Sequence, residues 1–536
     1  MGAILPVALV PLLPEDGRYA DIDGMKLKAV VREAAAISRR DQARGTLFWG
    51  RNVGFQGHAE TQDWVEGYFR KFGLENVHRK SFDLAPQWTA KWFAISFSSG
   101  GTTFALKTAR PAEDSPSTPP NGVEFEVVWV NTGTAADFVG RDVRGKAVLI
   151  QSIPQPGVLR HSITAERAVQ RALDAGAAAI GMMYGVSDNF TVWELRTQGK
   201  PGFCVGYEDG RALLERIGKG ESVKVKIALE SEDRANLKTA SVLGTLPGTT
   251  DEDIIIVAHM DGYFDGAIDN GSGLAVMMGL LEHFSKVPRA ERRRKIIFLG
   301  SAGHHGGPGA RWLHDERDTV LAKTALIINL EHVSAVRTKY WGPHLRKTNA
   351  VSPMRWWVWG SPALLDIALG SFARFNVGLT ADMDTGASGE IAQVARDAPS
   401  MQVITSPEVK HTEEDSEEWV PAAGLEQVGR AYAKIIDEIN RLPRRELWPA
   451  TSSPAAARRH RETDADPCQP STDSRSSISR ACSPGRFARC SSVTWAPMSS
   501  SSRSRTTATI RGAGRRSSTG GAATSWASTA TSGASR

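Results

Sequence analysis

Residues 254–257 read Ile-Ile-Ile-Val, and the chain runs straight from them into Ala258-His259-Met260-Asp261. Four consecutive β-branched residues offer no polar face, so a strand built from them must be covered on both sides. That requirement points to an α/β fold, a mixed central sheet flanked by helices, and away from a barrel or sandwich with one wet face. The neighbouring sequence repeats the rhythm. Residues 295–299, 325–330 and 401–404 are further apolar strand runs. Residues 273–284, 361–375 and 425–442 carry apolar side chains at helical spacing, and a helix is expected to start within 309–315. Pro443 stops the last long helix.

Upstream, residues 25–38 and 61–72 read as helices, and residues 81–110 as short strands. A second unit follows. Residues 125–130, 140–152, 178–183 and 223–229 are strand-like, with a helix expected at 165–177. The expected division is therefore a loose N-terminus or remnant signal over 1–20 and a first part of the main domain over 21–118. A small mixed α/β domain over 119–235, the rest of the main domain over 236–446 and a tail over 447–536 complete it.

The net charge of +6 is unevenly spread. Residues 451–536 hold 13 Arg, no Lys and 4 acidic residues, so that stretch carries +9 and residues 1–450 carry −3. The folded body is thus not a specific nucleic-acid binder. The last 86 residues also hold 21 Ser, with few aliphatics and no strand or helix period, which predicts disorder. Their Arg, Ser, Ala and Gly bias is what an out-of-frame extension of a GC-rich gene produces. Of the four cysteines only Cys204 lies outside the tail, which excludes a disulfide framework and a thiolate metal site. The apolar start, residues 3–13, lacks a preceding basic residue and is broken by Pro6 and Pro11. It reads equally as a clipped secretory signal and as a loose N-terminus, and it is too short to span a bilayer.

Polar clusters sit where the apolar runs end, the place where open α/β sheets bind ligands. His259 and Asp261 follow the first run, and Asp269 precedes a helix in G-A-I-D-N-G-S-G. Glu331 follows I-I-N-L, and His411 lies in K-H-T-E-E-D after residues 401–404. Singly, each is as readily a cap or a turn residue. As an ordered set of imidazoles and carboxylates they suit zinc.

That set resembles the aminopeptidase branch of the clan MH zinc peptidases, the superfamily of bacterial leucyl aminopeptidase, glutamate carboxypeptidase, glutaminyl cyclase and the catalytically dead transferrin receptor. The resemblance covers about residues 40–440. Its most specific piece is His259-Met-Asp261 followed by G-A-I-D-N-G-S-G, supported by H-T-x-x-D from His411 to Asp415. The resemblance implies one or two zinc ions. His259 and Glu331 would bind one, His411 the other, and Asp269 would bridge them. Asp261 would orient His259. The family usually has Asp where Glu331 stands, and His332 beside it reads as a loop residue. The unit at 119–235 resembles the protease-associated domain inserted in many members, and the resemblance favours a secreted or periplasmic location, with a cytoplasmic one left open.

One segment departs from the pattern. Where the family has Gly-Glu-Glu, this chain has Gly303-His304-His305. By position His304 takes the role of general base and His305 that of the remaining zinc ligand. Both exchanges remove negative charge from the site. The implied activity is removal of N-terminal residues from a peptide substrate by zinc-activated water. A mononuclear carboxypeptidase or cyclase-like enzyme and a noncatalytic binding scaffold are the alternatives. Asp384 and Glu390 lie where related enzymes shape the pocket for the substrate ammonium. The sequence gives no oligomeric state.

Overall fold

The structure is a computed structural model describing residues 17–153, 162–165, 167–192, 195–341 and 344–449. These fall within the compact unit Met1–Ala465, and the unit Asp466–Arg536 lies outside the described residues. The expected N-terminal run and most of the expected tail also lie outside them.

The Ile254–Val257 run occupies the strand Asp253–His259, and every residue of that strand is buried, as a strand without a polar face requires. It sits at the middle of a seven-stranded mixed sheet. The spatial order is Glu75–Asp83, Lys238–Leu246, Lys295–Ser301, Asp253–His259, Thr324–Leu330, Ser400–Ile404 and Arg355–Trp359. The four strands from Lys295–Ser301 to Ser400–Ile404 are mutually parallel, and antiparallel strands flank them on both sides. Four functional segments therefore leave the same edge of the sheet, at the carboxyl ends of its parallel strands. The helices Gly24–Ala43, Gly273–Lys286 and Ala422–Ile439 pack together and bury their apolar stripes. Asp23 caps the first by accepting from the Lys26 N–H at 2.9 Å. No helix among the described residues is long and apolar enough to cross a membrane.

Between Glu75–Asp83 and Lys238–Leu246 the chain builds a second, eight-stranded sheet and then returns to the first. This sheet includes Gln87–Ser99, Thr102–Phe104 and Arg110–Pro111, which lie ahead of the expected boundary at 119. The reason is pairing: Gln87–Ser99 runs antiparallel along nearly the whole of Val223–Arg234. At the other end the core extends past 446. Leu447 is fully buried, and Trp448 packs edge-on against Trp359.

The inserted sheet reaches the loop that carries His411. Val192 bridges Thr412, the Glu413 N–H donates to Thr191 O at 3.0 Å, and the Tyr184 hydroxyl donates to the Glu408 carbonyl. Cys204 is buried in a strand, as a small apolar residue would be.

Candidate metal centre

Asp269 organises the site. It is buried at the kinked turn leading into Gly273–Lys286, and its two carboxylate oxygens face different histidines. Oδ1 lies 3.1 Å from His259 Nε2 and 2.9 Å from His332 Nε2. Oδ2 lies 2.8 Å from His411 Nε2 and 3.9 Å from His305 Nε2. Asp415 fixes this turn by accepting the Ile268 N–H at 2.7 Å and the Asp269 N–H at 3.2 Å. Asn270 locks it to the sheet, donating to Leu330 O and accepting from the His332 N–H.

The outward ring nitrogens of His259, His305 and His332 are tied down. The His259 Nδ1–H donates to Asp261 Oδ1 at 2.8 Å, and the His305 Nδ1–H donates to Asp261 Oδ2 at 2.8 Å. Asp261 thus orients two rings, and it also accepts the His305 backbone N–H. The His332 Nδ1–H points to Thr405 O at 3.3 Å. An Nδ1–H bound to oxygen leaves the Nε2 lone pair free to aim inward, the arrangement of metal-ligating histidines.

His304 and Glu331 close the remaining side. The His304 Nδ1–H donates to Glu390 Oε2 at 2.7 Å, and its Nε2 lies 4.0 Å from Glu331 Oε1. Glu331 accepts the Glu390 backbone N–H at 2.7 Å and the Asn329 side-chain N–H at 3.0 Å. Gly303 has φ +87°, and a Cβ there would come within 2.7 Å of the Asp261 carboxyl carbon. Only glycine allows the strand end to turn His304 and His305 inward against Asp261.

Charge is tightly coupled here. Burial alone would raise Asp261 and Asp269, but the surrounding imidazoles hold both well below the usual carboxylate range. Burial works against a charged His259, yet Asp261 and Asp269 raise it well above its ordinary value. His304 is also opposed by burial and by His259. Its bond to Glu390 and the charges of Glu331 and Glu390 nonetheless push it up to about 9. His305 goes the other way, to about 4, because burial and the His304 charge outweigh Asp261. Burial pushes Asp415 up to about 7.

The donors fit a metal. Three sets of side chains bring a ligand atom each to within 4.8 Å of one another: His259, Glu331 and His332; Asp269, His305 and His411; and His259, Asp261 and His305. The third set is better read as orientation, since both Asp261 oxygens already accept N–H bonds. His259 Nε2 and His332 Nε2 lie 3.1 and 2.9 Å from Asp269 Oδ1, all three atoms are buried, and no hydrogen bond satisfies them. Unsatisfied buried polar atoms are costly. Roughly 3.3 Å is the spacing that bonds of 2.0–2.1 Å impose on tetrahedral zinc ligands.

Of the residues singled out in the sequence, His259, Asp261, Asp269, His304, His305, Glu331, Glu390 and His411 meet in this cluster. Asp384 faces Arg355: its Oδ1 accepts the Nε–H at 3.2 Å, and its Oδ2 lies 2.8 Å from Nη2 in an ion pair. The guanidinium would compete with a substrate ammonium for this carboxylate, the role expected of it. Glu390 gives Oε2 to His304 and leaves Oε1 buried without a hydrogen bond. His332, expected to be a loop residue, is instead part of the cluster. The available signal was two ionisable residues in succession directly after an apolar strand. Strand alternation would send one of them away, and only a left-handed φ of 49° at His332 brings both in.

Residues 241–436 match the sequence model of peptidase family M28. The match spans the parallel strands of the main sheet and the segments that carry the sheet-edge site. Among solved structures, the peptidase M28 precursor from Shewanella amazonensis SB2B is 17% identical, with a TM-score of 0.60 over 81% of this chain and all of that one. BSAP, a zinc aminopeptidase from Bacillus subtilis, is 18% identical, with a TM-score of 0.56 over 80% of this chain and 98% of that one. The aminopeptidase from Aneurinibacillus sp. strain AM-1 is also 18% identical, with a TM-score of 0.52 over 79% and 95%. These likenesses establish the zinc exopeptidase-like fold. No curated protein matches the chain.

Proposed function

We propose that the chain is a zinc-dependent exopeptidase, and specifically an aminopeptidase acting on peptides with a free N-terminus. The observation that carries this reading is the division of the Asp269 oxygens between two groups of histidines. A carboxylate so placed would hold a cation at each oxygen, with His259 and Glu331 as further donors on the Oδ1 side and His305 and His411 on the Oδ2 side. The two M28-like aminopeptidases of similar fold support the substrate class.

Bound zinc supplies a Lewis acid for the scissile carbonyl and makes water nucleophilic near neutral pH. The protein's own part is positioning and proton transfer. Asp261 holds the His259 and His305 rings with Nε2 inward. His304 presents its Nε2 beside Glu331 while Glu390 fixes its other nitrogen. Glu390 and Glu331 favour the charged form of that ring, and cations held beside it would oppose them, favouring the neutral form that a base requires. In that form His304 would be placed to take a proton from an attacking water and pass it to the leaving amine.

The test is to measure zinc content and hydrolysis of amino-acid amides by the full chain, with N-acetylated substrates as controls. Near two zinc ions per chain, with cleavage only of free N-termini, is the expected result. Bound zinc with no cleavage of either substrate would leave a noncatalytic scaffold. Cleavage only of N-acetylated peptides that keep a free C-terminal carboxylate would indicate a carboxypeptidase.

A further inference from the structure

We infer that His332 is a metal ligand and that it makes the two metal positions unequal, the one at Asp269 Oδ1 closed by protein and the one at Oδ2 open. This rests on the zinc-dependent reading above and deepens it.

Three observations converge on His332. Its Nε2 is fully buried and 2.9 Å from Asp269 Oδ1, with no hydrogen bond to satisfy it. Its Nδ1–H is directed to the Thr405 carbonyl, which selects the tautomer whose Nε2 lone pair points into the cluster. Its backbone is clamped on both sides in the left-handed region that β-carbon-bearing residues seldom adopt. Its N–H donates to Asn270 Oδ1 at 3.2 Å, and its carbonyl accepts from the Thr405 N–H at 2.9 Å and the Thr405 hydroxyl at 2.6 Å. A surface loop residue needs none of this. A side chain that must face the same point as its neighbour Glu331 needs all of it.

The donor count then differs between the two sides. At Oδ1 stand His259, His332, Glu331 and Asp269, two imidazoles and two carboxylates. At Oδ2 stand His305, His411 and Asp269. Four protein donors complete a tetrahedral zinc site, whereas three leave the exchangeable position that catalytic sites keep. The Oδ1 position is therefore the tight one. The Oδ2 position, with the more distant His305 Nε2 at 3.9 Å, is the labile one that receives substrate.

The experiment uses the full chain and zinc alone. Dialysis against graded chelator concentrations should remove the two ions in separate steps from the unaltered protein. His332→Ala should weaken the tight step by roughly 10- to 100-fold or more and merge it with the weak one, while His411→Ala should remove only the weak step. A tight step unchanged in His332→Ala overturns the proposal while leaving the zinc reading intact. An unaltered chain that binds no zinc overturns both. Should His332→Ala fail to fold, zinc-edge X-ray absorption on His411→Ala loaded with one equivalent decides the matter. Two imidazoles per zinc support the assignment, and one overturns it.

Discussion

The His304 imidazole donates its Nδ1–H to the Glu390 carboxylate across 2.7 Å, joining residues 86 positions apart at a buried point beside the metal centre. The bond makes Glu390 a positioning residue for His304. Replacing the charge but not the shape should expose that role. We expect Glu390→Gln to lower kcat by roughly 10-fold with KM little changed, and His304→Gln to lower it by about 100-fold or more, the usual range for a lost proton-transfer group. The pH–rate profile of Glu390→Gln should shift its His304 limb to lower pH, because a neutral amide no longer stabilises the imidazolium. A profile that stays in place would remove Glu390 from the mechanism.

Gly389 and Glu331 impose a second constraint. Gly389 has φ +66°, and a Cβ there would sit 2.0 Å from Glu331 Oε1. Gly389→Ala must push the carboxylate off its station and also strain the backbone. Zinc affinity should fall by about 10- to 100-fold in equilibrium dialysis. Gly386→Ala, with nothing within 4 Å of its Cβ, is the matched control and should bind zinc as the unaltered chain does. Equal affinities for the two variants would contradict the assignment of Glu331 as a donor.

Much of this was legible in the sequence, for identifiable reasons. The apolar runs ending in His259, Glu331 and the His304-His305 segment gave the parallel core and its active edge, since a strand without a polar face has few places to go. The strands that escaped notice were most of Glu75–Asp83, within a stretch expected to be largely helical, together with Gly202–Val205, Lys238–Leu246, Arg355–Trp359 and the hairpin Val336–Trp341 with His344–Val351. The hairpin has mixed or wholly exposed faces, so no alternation marks it. In the site, the chain order of ligands was readable, but partners set by tertiary contact were not. That Asp384 meets Arg355, that Glu390 meets His304 and that Asp261 holds His305 as well as His259 are facts of loop geometry.

Arg51 also lay beyond sequence reasoning. Its guanidinium is fully buried and donates to the carbonyls of Met260, Asp265 and Gly266 and to the Ser38 hydroxyl. It thereby holds the chain between Asp261 and Asp269 in place. Gly262 and Gly266 are small because a Cβ at either would come within 2.5 and 2.9 Å of Arg51 Nη2. Arg51→Met strands the buried Met260 carbonyl, while Gly266 O keeps the Gly271 N–H and Asp265 O keeps the Ser38 hydroxyl, so a loss of about 1–3 kcal/mol is expected in denaturant unfolding. Zinc retention should fall with it. A variant as stable as the unaltered chain would show that the carbonyls find other donors.

His58 gives a pH dependence whose sign is fixed by burial. Burial, only partly offset by Asp261, pushes it down from 6.5 to about 4. The folded ring therefore stays neutral over a range in which the unfolded chain binds a proton. Between these values the unfolded state holds more protons, so stability rises with pH. The contribution is fully present above about 6.5, is lost as pH falls to about 4, and amounts to about 3 kcal/mol across that window. His58→Gln, which keeps a hydrogen-bonding group toward Thr239, removes this titration. Denaturant midpoints measured from pH 7 to pH 4 should fall less steeply for the variant than for the unaltered chain, by up to about one proton in slope. Identical slopes would mean that the folded protein accommodates a protonated His58, and that its burial exerts no control over the ring.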